Sequence, residues 1–404
     1  MDSEKVIRRD NDYVLHTYNR NPIVIEKGAG MYAEGPEGQK YLDFTSGIGV
    51  NSLGYCDLRW AEAVADQAHK LQHTSNLYYT GPCSKLAKRL CKRTGMDKVF
   101  FANSGAEANE GAIKAARKYS FDHCGKGRET VITLVNSFHG RTIATLTATG
   151  QGVFHNYFGP FNEGFVYAVA GDMESLKDLV DRHTCAIMLE LVQGEGGVVA
   201  LDPEYVRAVR KLCDERDLVL IVDEVQTGVG RTGTFLCCER YNLHPDIVTL
   251  AKGLGGGLPI GAVLLNSKVA GGMGPGTHGS TFGGNPIACA GANAVLDRLE
   301  SASFMANIND RAAQLRAGLE KLPHVKSVSG LGLMIGIEFE PGVAAADVLA
   351  ACREKGLLVL TAKTRLRLLP PLILTAHHVE AALAILGEVL AGFEPAAPAE
   401  GSQV

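Results

Sequence analysis

Hydrophobic and polar positions alternate along this chain in two periods. For most of its length, short apolar runs take turns with amphipathic stretches of helical spacing. The β-rich runs at Val99-Phe100-Phe101 and at residues 130–135, 186–191 and 218–222 read as buried strands. Residues 106–118, 173–181 and 203–215 read as helices between them. Such alternation predicts an α/β unit, a largely parallel sheet covered on both faces. After about residue 290 the texture changes. Helices are expected over 288–299, 307–321, 344–355 and 376–393, a strand over 332–340, and short strands within 357–369. That pattern predicts a smaller α+β domain, joined by an N-terminal segment with strand-like stretches at 23–26 and 39–43. The expected division is 1–50, 51–290 and 291–404, with a frayed tail over 394–404 rich in Pro, Ala and Glu.

Size and charge narrow the function classes. A chain of 404 residues exceeds the usual single core, so two packed domains are the default. A net charge of -4 offers no basic field for nucleic acid or an anionic membrane, so small molecules and self-association are the expected partners. The ten cysteines include no Cys-x-x-Cys pair, which points to reduced thiols and a cytoplasmic location. Met1-Asp2-Ser3-Glu4-Lys5 lacks an apolar signal region, and no later run is long enough to span a membrane. No metal site is expected.

Three motifs carry chemistry. In Asn103-Ser104-Gly105-Ala106-Glu107 a strand gives way to a helix, whose first N–H groups and dipole favour a phosphate at Gly105 and Ala106. Ser104 and Glu107 also make a capping box, which needs no ligand, so the motif alone leaves both readings open. At Asp223-Glu224-Val225-Gln226 two carboxylates follow an apolar strand, at the sheet end where open α/β folds bind ligands. Asp223 could hold a positive ring nitrogen or simply cap a helix. Lys252, after an apolar strand and before Gly253, Gly255, Gly256 and Gly257, could be a desolvated amine able to form a Schiff base, or a solvated surface charge. Residues 228–233 match a dinucleotide fingerprint, but they open no clear helix and read as a chance match.

A phosphate seat, an acid and an amine in this order suit an aldehyde cofactor with a pyridine ring and a phosphate. With these motifs, and with residues 138–142, 193–197, 223–233, 250–259 and 278–286, the chain resembles the class III aminotransferases from about Tyr18 to Leu374. Within that class it is similar to the enzymes that use acetylornithine. The resemblance implies the aspartate aminotransferase-like architecture of fold type I, dependent on pyridoxal 5′-phosphate. It implies that Lys252 carries the cofactor as a Schiff base and moves the substrate proton, and that Asp223 pairs with the ring nitrogen. Gln226 would bond the phenolic oxygen and Phe138 would stack on the ring. Ser104, Gly105 and Ala106 would hold the phosphate, with Glu224 and Val225 in the cofactor-binding turn. Thr281 would reach the neighbouring subunit's phosphate, which implies a homodimer with shared sites.

For substrate, the resemblance assigns Arg141 to a carboxylate, Ser280 to a contact from the partner chain, and Arg367 to a second carboxylate of glutamate or 2-oxoglutarate. Glu195 would pair with Arg367 when no carboxylate is there. Tyr18 matches a substrate-contact tyrosine more loosely. The implied reaction moves the δ-amino group of acetylornithine to 2-oxoglutarate, giving N-acetylglutamate semialdehyde and glutamate for arginine synthesis. Succinylornithine, succinyldiaminopimelate, ornithine or 4-aminobutyrate as donor, or an aminomutase, racemase or decarboxylase on the same scaffold, are the alternatives. The chain departs from the common pattern at Leu191, often proline, and at Ala106, often threonine.

Overall fold

Buried apolar runs assemble one large sheet at the centre of the molecule. The computed structural model describes residues 2–394. Seven strands, β1 (Lys98–Ala102), β2 (Thr130–Leu134), β3 (Phe165–Ala168), β4 (Thr184–Leu189), β5 (Val219–Asp223), β6 (Ile247–Leu250) and β7 (Gly261–Leu265), pair in the order β1-β7-β6-β5-β4-β2-β3. Strands β2 to β6 pair in parallel, whereas β7 runs antiparallel to both β6 and β1. Every residue of β4 to β7 is buried. Helices on both faces leave such strands no polar side, so they read as continuous apolar runs.

The covering helices follow from local signals. Asp202 caps Pro203–Glu215 by accepting the Glu204 and Tyr205 N–H groups, and proline occupies the first turn, where its missing N–H costs nothing. That helix buries Val206, Val209 and Cys213. Gly105–Cys124 buries a face of small residues, Ala108, Ala112 and Ala116 among them, and lies against β6 and β7.

A smaller α+β unit is built from both ends of the sequence. Lys27–Ala29, Tyr32–Glu34 and Lys40–Asp43 pair antiparallel, and Leu357–Leu358 joins Lys40–Asp43 in parallel, with Leu357 opposite Leu42. A second antiparallel sheet contains Val325–Leu331, Met334–Phe339, Arg365–Leu368 and Leu360–Ala362. Helices Ala302–Leu319, Ala345–Glu354 and Ala376–Ala391 complete it. The strand expected at 23–26 starts instead at Lys27, where pairing with Tyr32–Glu34 sets the register. Helix Pro286–Leu299 runs across residue 290 and packs on Leu58–Lys70 and Gly81–Thr94. Of the tail expected at 394–404, residues 395–404 lie outside the described residues.

Residues 228–233 form turns and open no helix. Within them Arg231 is buried and structural: its guanidinium donates to the carbonyls of Leu333 and Pro370 and to Ser46 Oγ, tying the turn after β5 to the smaller unit. All ten cysteines are free thiols. No helix among the described residues is long and apolar enough to cross a membrane.

Candidate active site

The carboxyl ends of β1, β5 and β6 open onto a cavity of about 470 Å³, whose walls include Gly105, Phe138, Arg141, Asp223, Gln226 and Lys252. At its floor the 20-residue helix Gly105–Cys124 begins. Ser104 caps it, accepting the Glu107 N–H at 3.1 Å, while Glu107 accepts the Asn103 N–H at 2.5 Å. Only the Ser104 half of the expected capping box forms, because Glu107 accepts the N–H one residue before the cap, and Gly105 N–H and Ala106 N–H are left without an acceptor among the described residues. Two free donors at the positive end of a long helix are a seat for an anion. A side chain at Gly105 would meet Val225 at 2.7 Å, so only glycine keeps this approach open.

Asp223 is anchored from three sides. Its Oδ2 accepts from Asn109 Nδ2 at 2.7 Å and pairs with His139 Nδ1 at 2.8 Å, and its Oδ1 accepts the Val225 N–H at 3.0 Å. Asn109 is itself fixed by Thr249 Oγ1 at 2.7 Å. His139 Nε2 is buried without a hydrogen-bond partner among the described residues. A buried carboxylate fixed in this way presents its negative charge to a cation in the cavity.

Lys252 follows β6 on a backbone with φ of +42°, a left-handed conformation that costs a non-glycine residue energy and that persists at functional sites. Burial lowers the pKa of its amine; Glu195, Asp223 and Glu190 oppose that shift, and Arg367 adds to it. A larger neutral fraction makes the amine a better nucleophile. Free helix N–H groups, an anchored carboxylate and a desolvated amine in one cavity fit the phosphate, protonated ring nitrogen and aldehyde of pyridoxal phosphate.

A second cluster adjoins the amine. Arg367 Nη1 meets Glu195 Oε1 at 2.6 Å, and Gln226 bridges them, donating to Glu195 at 3.4 Å and accepting from Arg367 at 3.3 Å. Burial alone would raise the Glu195 carboxyl, but the charge and hydrogen bond of Arg367 outweigh it and hold the pKa below the ordinary value. Glu190, buried beside the cavity, accepts the N–H groups of Phe138 at 2.9 Å and Gly194 at 3.3 Å. Burial pushes its carboxyl up to about 7, with His139 pulling down and Asp223 adding to the rise.

Other expected residues lie apart from this cavity. The Glu224 side chain turns away from it, accepting the N–H groups of Cys237 and Cys238 and the Thr227 hydroxyl, and so caps a short helical turn. Ser280 reaches the cavity wall only through Asn103, which donates to its hydroxyl at 3.1 Å. Thr281 lines a separate cavity with His73, Tyr79 and Asn285. Tyr18 is exposed. Asn109 and His139 were not singled out from the sequence. The available signal for Asn109 was an amide one helical turn past Gly105, on an otherwise alanine-rich face.

Comparison with known proteins identifies the family. The family model for class III aminotransferases matches residues 13–390. The acetylornithine aminotransferase of Haemophilus ducreyi is 55% identical, across 96% of this chain and 99% of that protein. That of Caldanaerobacter subterraneus is 50% identical, across 95% and 99%. Among solved structures, the ornithine aminotransferase of Toxoplasma gondii superposes with a TM-score of 0.92 at 34% identity, covering 97% of this chain and 95% of that one. The acetylornithine aminotransferase of Elizabethkingia anophelis gives 0.86 at 31% identity, with 97% and 100% covered. On a match that spans nearly its whole length, the chain belongs to the class III aminotransferases, enzymes that work with pyridoxal phosphate.

Proposed function

We propose that this enzyme transfers the δ-amino group of acetylornithine to 2-oxoglutarate, with Lys252 as the residue that holds the cofactor. The observation that carries the reading is the Glu195–Arg367 pair beside the desolvated Lys252 amine. Identities of 50–55% to acetylornithine aminotransferases support the choice of donor. Pyridoxal phosphate supplies, when bound, an aldehyde that condenses with amines and a protonated ring that withdraws electrons from the amine-bearing carbon. Gly105 and Ala106 would hold its phosphate, Asp223 its ring nitrogen, and Phe138 its ring face. Lys252 would hold the aldehyde carbon, and its amine, when free, would accept the proton lost from the amine-bearing carbon.

The two arginines divide the substrates. Arg141 grips a carboxylate common to donor and acceptor, and a planar guanidinium does so with two parallel hydrogen bonds. Arg367 meets the second carboxylate, which 2-oxoglutarate carries and acetylornithine does not. When the donor is bound, Glu195 takes that place, so a buried guanidinium never lies unpaired.

The protein acts as a homodimer in this reading. Leu77, Tyr78, Tyr79 and Phe282 are exposed around the cavity that holds Thr281, an apolar surface suited to a second copy. Ser280 and Thr281 would then serve the partner's site. The free thiols support a reducing, cytoplasmic setting. Steady-state assays across acetylornithine, succinylornithine, ornithine and 4-aminobutyrate test the donor. The highest kcat/KM is expected with acetylornithine, and a preference for free ornithine or 4-aminobutyrate overturns the assignment.

A further inference from the structure

We propose that Phe154 is a positioning residue for Arg141, its ring presetting the plane in which the guanidinium meets a substrate carboxylate. The inference rests on the carboxylate-binding reading of Arg141 given above. Arg141 Cζ lies 4.0 Å from the centre of the Phe154 ring and 5.5 Å from that of Phe138. The two rings meet edge to face, 6.0 Å apart at 78°. Arg141 is exposed, and among the described residues it has neither an ion pair nor a hydrogen bond, so the two rings, Phe154 the nearer, are what restrain its guanidinium. A long side chain so placed would otherwise sample many rotamers, and each carboxylate would bind only the fraction correctly aimed. Stacking restrains the plane while leaving the N–H edge free, which an ion pair would not do.

The ring is itself held. Phe154 ends the short turn Gly152–Phe154, and its N–H bonds the Gln151 carbonyl at 3.0 Å. Gln151 is buried and donates to the Ser137 carbonyl at 3.0 Å, one residue before Phe138. On the other flank His155 Nε2 meets the Leu146 carbonyl at 2.8 Å and its ring lies against Phe161. The shelf under Arg141 is thus fastened to the loop that carries Phe138 and to the helix Ile143–Ala148 that follows Arg141.

The test follows the donor half-reaction alone in the holoenzyme, by the absorbance change of the bound cofactor, for wild type, Phe154→Leu, Phe154→Ala and Phe154→Tyr. Two donors are compared: acetylornithine, and the same amide-bearing amine without its carboxylate. Phe154→Leu keeps apolar bulk and removes the π-face. It should raise the half-saturating concentration of acetylornithine about 2- to 5-fold, the size of one exposed cation–π contact, with the limiting rate unchanged. The carboxylate-free amine should bind as before, and Phe154→Tyr should match wild type. Phe154→Ala should do at least as much as Phe154→Leu. Equal shifts for both donors, or a leucine variant that matches wild type, overturn the proposal. Arg141→Ala separates the two readings. If it leaves acetylornithine binding unchanged, the role of Arg141 fails; if it weakens binding while Phe154→Leu does not, only the role of Phe154 fails.

Discussion

Arg141 and Arg367 serve the same chemistry in the proposed reading, but the protein keeps them ready in different ways. Arg367 is buried, and its charge is matched by Glu195 at 2.6 Å with Gln226 between them. Arg141 is exposed and rests on the face of Phe154. A buried cation without a counter-charge is costly, so Arg367 needs a partner that can be displaced. An exposed cation is already solvated and needs only to be aimed. One device selects between substrates, because breaking the ion pair requires an incoming carboxylate. The other selects nothing between donor and acceptor, because both bring a carboxylate to it.

Removing the exposed arginine should have the largest effect. Arg141→Ala should raise the KM of acetylornithine by about 100-fold, two charge-assisted hydrogen bonds being worth roughly 3 kcal/mol together. Steady-state kinetics measure it, and a change of less than severalfold would break the comparison on that side. Releasing the buried arginine comes next. Glu195→Ala should raise kcat/KM for glutamate relative to acetylornithine by about tenfold, the worth of one such contact. It should also lower the Lys252 amine pKa further, since Glu195 opposes the effect of burial. The pH dependence of amine-selective labelling in cofactor-free protein reads that shift, and a rise in pKa would count against it.

The smallest effect on turnover sharpens how the two regions are joined. Glu190 accepts the N–H of Phe138 on the Arg141 side and that of Gly194 on the Glu195 side. Its folded-state pKa of about 7 lies above the ordinary carboxyl value, so the native state binds the extra proton. Stability from this group is full below about pH 4.5 and is lost as pH rises through about 7. The slope can reach about 1.4 kcal/mol per pH unit for one proton. Denaturant titrations across that window should show wild type losing stability and Glu190→Gln losing less. Parallel curves would refute the assignment.

Much of this is legible in the sequence. Helix Pro203–Glu215 has its expected bounds because Asp202 and Pro203 mark its start locally. Lys252, Asp223 and Gly105 meet in one cavity because each follows a strand of the same sheet, whose carboxyl ends converge. Strand β7 is not marked there: it follows the glycine-rich stretch without an intervening helix and returns antiparallel. The contacts that tune the site are also silent in sequence. His139 and Asn109 reach Asp223 from 84 and 114 positions away, and nothing local marks Phe154 as lying under Arg141. Periodicity reports which face of an element is buried; it carries no information on which distant side chain will meet it.

The parallel pairing of Leu42 with Leu357 has a consequence for biosynthesis. Because 357 − 42 = 315 positions separate the two, translation at about 5–20 residues per second leaves the early strand waiting roughly 15 to 60 s for its partner. The central sheet has all its strands long before then. The nascent polypeptide therefore holds one edge of Lys40–Asp43 unpaired until Leu357–Leu358 has been made.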